Sequence, residues 1–129
     1  MTPGRGQILI VDDEPPLLKM MSAYLSRLGY DVVTAVNAEQ ALKAVGAQPD
    51  GFAVAVLDAT IAGSSLEELA SRMLAVTPRL CLIAASGYPV DMTMLEAAAP
   101  GRVHFLHKPF APEMLAAAVR RMIDTQEAV

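Results

Sequence analysis

Apolar blocks alternate with stripes of helical period along the chain. Ile8-Leu9-Ile10-Val11 has no polar interruption, which predicts a strand buried on both faces, as in a parallel sheet. Pro15-Pro16 suits the first turn of a helix, and Leu17, Leu18, Met21, Tyr24, Leu25 and Leu28 follow with helical spacing until Gly29. Asp31–Ala35 reads as a short strand. Asn37 is placed to cap a helix that buries Ala41, Leu42 and Val45, with Gly46 and Pro49 closing it. A second apolar run, Phe52–Leu57, ends on Asp58. After the loop Ala59–Gly63, Ser64 or Ser65 caps a helix with the stripe Leu66, Leu69, Met73 and Leu74. Leu80–Ala85 is a fourth strand, ending at Ser86-Gly87. A weakly patterned helix covers about Val90 to Ala98. Val103–Leu106 is the last strand and leads into His107-Lys108-Pro109. Met114, Leu115, Ala118, Val119, Met122 and Ile123 mark the final helix.

Five strand–helix units in alternation predict a single doubly wound α/β sandwich with a parallel sheet. Right-handed crossovers put all strand C-termini along one edge, where such folds bind ligands. Residues 1–6 are expected to be a disordered tail, and 125–129 a C-terminal tail.

Composition narrows the function classes. The chain has 129 residues, 53% of them hydrophobic and 19% charged, enough for one real core and unlike a disordered chain. A net charge of −4 argues against a nucleic-acid-binding surface. The apolar runs are too short to span a bilayer, and the N-terminus lacks a signal peptide's apolar core. The single cysteine, Cys81, excludes an internal disulfide and a cysteine metal cluster, and it lies in an apolar run as a small buried hydrophobe. The expected compartment is the cytoplasm. The eight methionines read as core filler.

Candidate chemistry sits where the strands end. The first strand runs into Asp12-Asp13-Glu14, the third ends on Asp58, the fourth on Ser86 and the fifth at Lys108. Three adjacent carboxylates repel unless a cation or a lysine neutralises them, and a few carboxylates with water and phosphate oxygens suit Mg²⁺. Taken alone, the acidic run is equally a solvated turn that caps the next helix. Converging at one sheet edge, the four ends have a use in phosphoryl transfer. A carboxylate can act as nucleophile, and a metal held by its neighbours offsets the phosphoryl charge. A lysine and a hydroxyl can each hold a phosphoryl oxygen. His104 and His107 have no acidic or cysteine partner at metal-site spacing and are read as structural or exposed.

The segments Ile8–Glu14, Val56-Leu57-Asp58, Ala85-Ser86-Gly87 and His107-Lys108-Pro109-Phe110, weak singly but ordered along residues 7–124, resemble the receiver domain of two-component response regulators (the CheY-like superfamily). The resemblance implies a flavodoxin-like (βα)5 three-layer sandwich with strand order 2-1-3-4-5. It makes Asp58 the phosphoacceptor, taking a phosphoryl group from a sensor histidine kinase or a histidine phosphotransfer protein. It implies a Mg²⁺ site made by Asp13, Asp58 and the backbone carbonyl of Thr60, with Asp12 acting through water. Lys108 would pair with the acids or the phosphoryl group. Ser86 and Phe105 would be the switch hydroxyl and the switch aromatic. Pro109 would follow a cis peptide bond.

The chain leaves the pattern after Asp58. Ala62 and Leu66 stand where the family usually has proline and glycine, and Gly63 is expected to restore part of the turn. Tyr88 is large enough to shield the site from water. The expected role is signalling rather than enzymatic turnover, limited at most to self-phosphorylation and autodephosphorylation. No output module is expected to follow Val129, and the chain is expected either to signal through its own surface near 90–98, the last strand and the last helix, or to be a piece of a longer chain. Its expected partners are the phosphodonor and an output protein, with no nucleic acid or membrane, and its expected state is a monomer or weak homodimer. The alternatives are a receiver-like interaction module that is not phosphorylated and the C-terminal receiver of a hybrid sensor kinase. A flavin- or nucleotide-binding enzyme is disfavoured, because neither Asp12–Pro16 nor Ala59–Ser65 is a glycine-rich phosphate cradle.

Overall fold

The computed structural model describes residues 6–61 and 63–127. Five strands and five helices alternate: β1 (Gln7–Val11), α1 (Pro15–Arg27), β2 (Asp31–Ala35), α2 (Ala38–Ala47), β3 (Phe52–Asp58), α3 (Leu66–Val76), β4 (Cys81–Ser86), α4 (Thr93–Ala98), β5 (Val103–His107) and α5 (Pro112–Glu127). The strands form one parallel sheet in the order β2-β1-β3-β4-β5, as expected.

Strand alternation divides the core between two faces. Leu9 and Val11 of β1, Ala55 and Leu57 of β3, and Leu82 and Ala84 of β4 pack with Ala41 and Val45 of α2, Leu69 and Met73 of α3, and Leu95 of α4. Ile8 and Ile10, Val54 and Val56, and Cys81 and Ile83 point the other way, onto Leu18, Met21 and Leu25 of α1 and Leu115, Val119 and Met122 of α5. With both faces covered, β1, β3 and β4 need apolar residues at nearly every position, hence the unbroken apolar runs.

Helix starts follow the expected chemistry. Asn37 Oδ1 accepts the Gln40 N–H at 2.8 Å, and Ser65 rather than Ser64 caps α3, its Oγ accepting the Glu68 N–H at 3.1 Å. Gly29 ends α1 with φ 99°.

Two boundaries differ by more than one residue. The fourth helix begins at Thr93, not near Val90, because Asp91 Oδ1 takes both the Thr93 N–H (2.9 Å) and its hydroxyl (2.6 Å) and holds the chain in a turn there. The same two bonds hold the Asp91 carboxyl below its ordinary pKa. Residues 125–127, expected to begin a C-terminal tail, instead continue α5. Thr125 Oγ1 donates to Arg121 O, and Gln126 Nε2 donates to Arg79 O at 2.8 Å, so the last turn is tied to the loop that leads into β4. Residues 1–5 and 128–129 of the expected tails, and Ala62, lie outside the described residues. No helix among the described residues is long and apolar enough to cross a membrane.

Cys81 is fully buried in β4, and burial raises its thiol pKa against the pull of Arg102 and Arg79. Native protein is therefore expected to resist an aromatic disulfide reagent and to react stoichiometrically once denaturant opens the core. Labelling at the same rate with and without denaturant would contradict this burial.

Candidate functional site

Strand register brings the chemical residues together. Val11 pairs with Leu57, which sets Asp12 beside Asp58 at the C-terminal ends of adjacent strands. Ser86 pairs with His107, so Lys108 emerges next to the end of β4. Backbone bonds carry the ladder past the strand ends and hold the loops: Asp12 N to Ala35 O, Ala59 N to Ala85 O, and Lys108 N to Ser86 O. Alternation then sorts the side chains. Asp12, Asp58 and Lys108 have the parity of the α1/α5 face, while Ser86 and Phe105 have that of the face covered by α2, α3 and α4.

Asp12 and Asp58 are only 2% and 4% exposed, whereas Asp13 is in solvent. Each of the three offers a carboxylate oxygen, and these atoms all lie within 4.8 Å of one another. Lys108 Nζ sits among the acids, 2.9 Å from Asp12 Oδ2, 3.6 Å from Asp58 Oδ2 and 3.4 Å from Glu14 Oε1. Asp12 Oδ1 accepts the Glu14 N–H at 2.9 Å, so both Asp12 oxygens are engaged. Asp58 Oδ1 accepts both the N–H and the hydroxyl of Thr60, each at 3.0 Å. Ser86 Oγ accepts the Tyr88 N–H at 3.0 Å. Phe105 is half-buried against the core, its ring edge-on to His107 with centroids 6.3 Å apart.

An all-carboxylate donor set suits a hard divalent cation such as Mg²⁺. Neither histidine joins it. One lysine cannot neutralise Asp12, Asp58 and Glu14 together with the nearby Asp13, so the cluster keeps net negative charge to hold a cation.

Burial works to lower the Lys108 pKa. The hydrogen bond and charge of Asp12, the charge of Asp58 and the bond to Glu14 outweigh it and hold the ammonium above its ordinary 10.5. A raised folded-state value means that the ion pairs stabilise the fold fully below the unfolded pKa and lose that contribution as pH rises through the folded one. The stability advantage of wild type over Lys108→Met, measured by urea unfolding, should therefore stay flat through neutral pH and decline only above about pH 10. A decline beginning near pH 8 would contradict the pairing.

Asp12, Asp13, Asp58, Thr60 and Lys108 meet at one place, with Ser86 at the end of the adjoining strand. The Lys108–Pro109 peptide is cis. Gly63 has φ +98°, a conformation that side chains rarely adopt. Tyr88 is 74% exposed, so most of its ring lies in solvent rather than over the acids. Two contributions were not read from the sequence. Glu14 has no role of its own in the sequence pattern, yet it shares Lys108; the resemblance assigns Thr60 only its carbonyl, yet its hydroxyl bonds Asp58. Both depend on side-chain directions in loops, which spacing does not convey.

The fold and the cluster define an α/β module with an acidic, lysine-bearing edge at the C-terminal ends of its strands. The chain belongs to the response regulator receiver domain family, matching it over residues 8–120; such a domain is a signalling unit rather than an enzyme. It is similar to the phosphate regulon transcriptional regulatory protein PhoB of Pseudomonas aeruginosa, 31% identical over 121 residues, covering 90% of this chain and 51% of PhoB. The chain thus spans about half the length of that relative. Among solved structures, a response regulator receiver domain protein from Clostridium thermocellum shares the fold, with TM-score 0.84, 20% identity, and coverage of 96% and 98% of the two chains. A response regulator protein from Burkholderia pseudomallei, solved with a phosphorylated aspartic acid, calcium ion and citrate, aligns with TM-score 0.76 and 26% identity over 96% of this chain and 72% of that one.

Proposed function

We propose that this chain is a phosphoryl switch in a two-component relay, accepting a phosphoryl group on Asp58 from a phosphohistidine of a sensor histidine kinase or phosphotransfer protein. The observation that carries the reading is the placement of the buried Asp58 carboxylate beside two further aspartates and within 3.6 Å of Lys108. In the transfer, an Asp58 oxygen bonds to phosphorus, the P–N bond breaks, and its electron pair leaves on the imidazole nitrogen, which takes up a proton. The product is an acyl phosphate. Asp13 and Asp58, with the Thr60 carbonyl, would hold Mg²⁺ directly and Asp12 would reach it through water; the bound ion would offset the charge of the phosphoryl oxygens. Lys108 supplies a further positive charge to those oxygens. Converting the Asp58 carboxylate to an acyl phosphate replaces a charge of −1 by one of about −2, a net gain of about one negative charge at this edge. Ser86, whose Oγ accepts from Tyr88 and whose own hydrogen is left to donate, is the group that responds. Phe105 shares its face of the sheet and passes the change to the surface of α4, β5 and α5. With net charge −4, the switch is proposed to act on a protein partner in the cytoplasm, as a monomer or weak homodimer.

The test is incubation with Mg²⁺ and acetyl phosphate, followed by intact mass. The expected result is one phosphoryl group per chain. No adduct would leave the unphosphorylated interaction module as the reading.

A further inference from the structure

If Asp58 is the acceptor, its carboxylate has two tasks in one step: one oxygen binds the cation and the other attacks phosphorus. Each carboxylate oxygen has about two lone-pair sites. Both sites on Oδ1 are taken, by the Thr60 N–H and the Thr60 hydroxyl, each at 3.0 Å. Oδ2 faces Lys108 at 3.6 Å. When the cation takes Oδ1, the hydroxyl is in its way. When the cation takes Oδ2, Oδ1 must attack with both sites occupied. In either arrangement one Thr60 donor has to release Oδ1. The N–H is fixed by the backbone turn, while the hydroxyl rotates about a single bond. Thr60 is exposed, so its hydroxyl finds water when it turns away.

We propose that the Thr60 hydroxyl is a gate on the cation site, a positioning group that occupies Asp58 Oδ1 in the metal-free protein and yields it when a divalent cation binds. Its hydrogen brings a partial positive charge to the buried carboxylate until the ion replaces it. The wild-type affinity for Mg²⁺ is consequently lowered by the free energy of that bond. The inference rests on the proposed role of Asp58 and assigns a task to a side chain that reading does not use.

Thr60→Val keeps the branched shape and the N–H donor but removes the hydroxyl, while Thr60→Ser keeps both donors. Mg²⁺ binding to the full chain is measured by calorimetry without any phosphodonor. Thr60→Val should bind Mg²⁺ about tenfold tighter than wild type, equivalent to ~1.4 kcal/mol, the size of a modest hydrogen bond to a charged group. Thr60→Ser should match wild type. Metal-free Thr60→Val should also melt at a lower temperature, with Mg²⁺ removing the difference. Equal or weaker Mg²⁺ binding by Thr60→Val overturns the gate, and so does a Thr60→Ser affinity that follows Thr60→Val. Intact mass after acetyl phosphate treatment of wild type separates the failures: an adduct with unchanged Thr60→Val affinity overturns the gate alone, no adduct with tighter Thr60→Val binding overturns the acceptor role of Asp58 alone, and no adduct with unchanged affinity overturns both.

Discussion

Asp58→Asn protein, incubated with Mg²⁺ and acetyl phosphate, is expected to gain no mass, whereas wild type gains one phosphoryl group. The geometry singles out Asp58 among the three clustered aspartates. Both Asp12 oxygens are engaged, by Lys108 and by the Glu14 N–H, which makes Asp12 a poor nucleophile. Asp13 is in solvent, where an acyl phosphate would be open to water. Asp58 ends the central strand β3, is buried, and has Oδ2 turned toward the Lys108 ammonium that would meet the incoming oxygens. An asparagine has nearly the same shape and keeps an oxygen for the Thr60 donors, but its amide does not attack phosphorus. The loss is expected to be complete rather than graded. The fold should persist, because the substitution removes a charge from a crowded cluster; an unchanged or higher melting temperature is the control. An adduct on Asp58→Asn equal to that on wild type would move the acceptor elsewhere and end the proposal.

Chelation of Mg²⁺ should have the second-largest effect. A phosphodonor approaching this edge meets Asp12, Asp13 and Asp58 with oxygens within 4.8 Å of one another, and Lys108 already shared among them. Removing one electrostatic stabiliser of the transition state costs about 10²–10³ in rate. The rate of adduct formation in EDTA should fall by that factor, at ionic strength matched with a monovalent salt to exclude screening. Asp13→Asn should reproduce much of the loss with Mg²⁺ present. Stability gives an independent readout. Mg²⁺ at 100 times its dissociation constant adds about 2.7 kcal/mol, roughly 10 °C in melting temperature for a chain of this size. Equal rates with and without EDTA would remove the metal from the reaction.

Much of this was legible because buried parallel strands write themselves as unbroken apolar runs and amphipathic helices as stripes. Ile8–Val11 and Phe52–Leu57 are short apolar runs bounded by polar or turn residues, which favours buried strands, and Asn37 and Gly29 mark helix ends by their own backbone and side-chain preferences. The strand order came from the resemblance, since periodicity identifies strands but not their neighbours. Boundaries set by local polar bonds were harder to read. Asp91 delays α4 to Thr93 through bonds that weak apolar patterning does not reveal, and α5 runs past Ile123 because Gln126 reaches a carbonyl 47 positions earlier in the chain.

The sequence by itself determined which residues end each strand, because alternation and apolar runs are local properties of the chain. It therefore determined that acids, a hydroxyl and a lysine lie along one edge of the sheet. Only the tertiary structure decided who touches whom. Parallel pairing of β1 with β3, and of β4 with β5, brings Lys108 to Asp12 across 96 positions of sequence. The turn after β3 sets the Thr60 donors on Asp58 Oδ1, a contact only two positions apart that apolar patterning does not reveal. The physical reason is that strand register and side-chain rotamer are settled by packing between distant segments, and no stretch of chain carries that information alone.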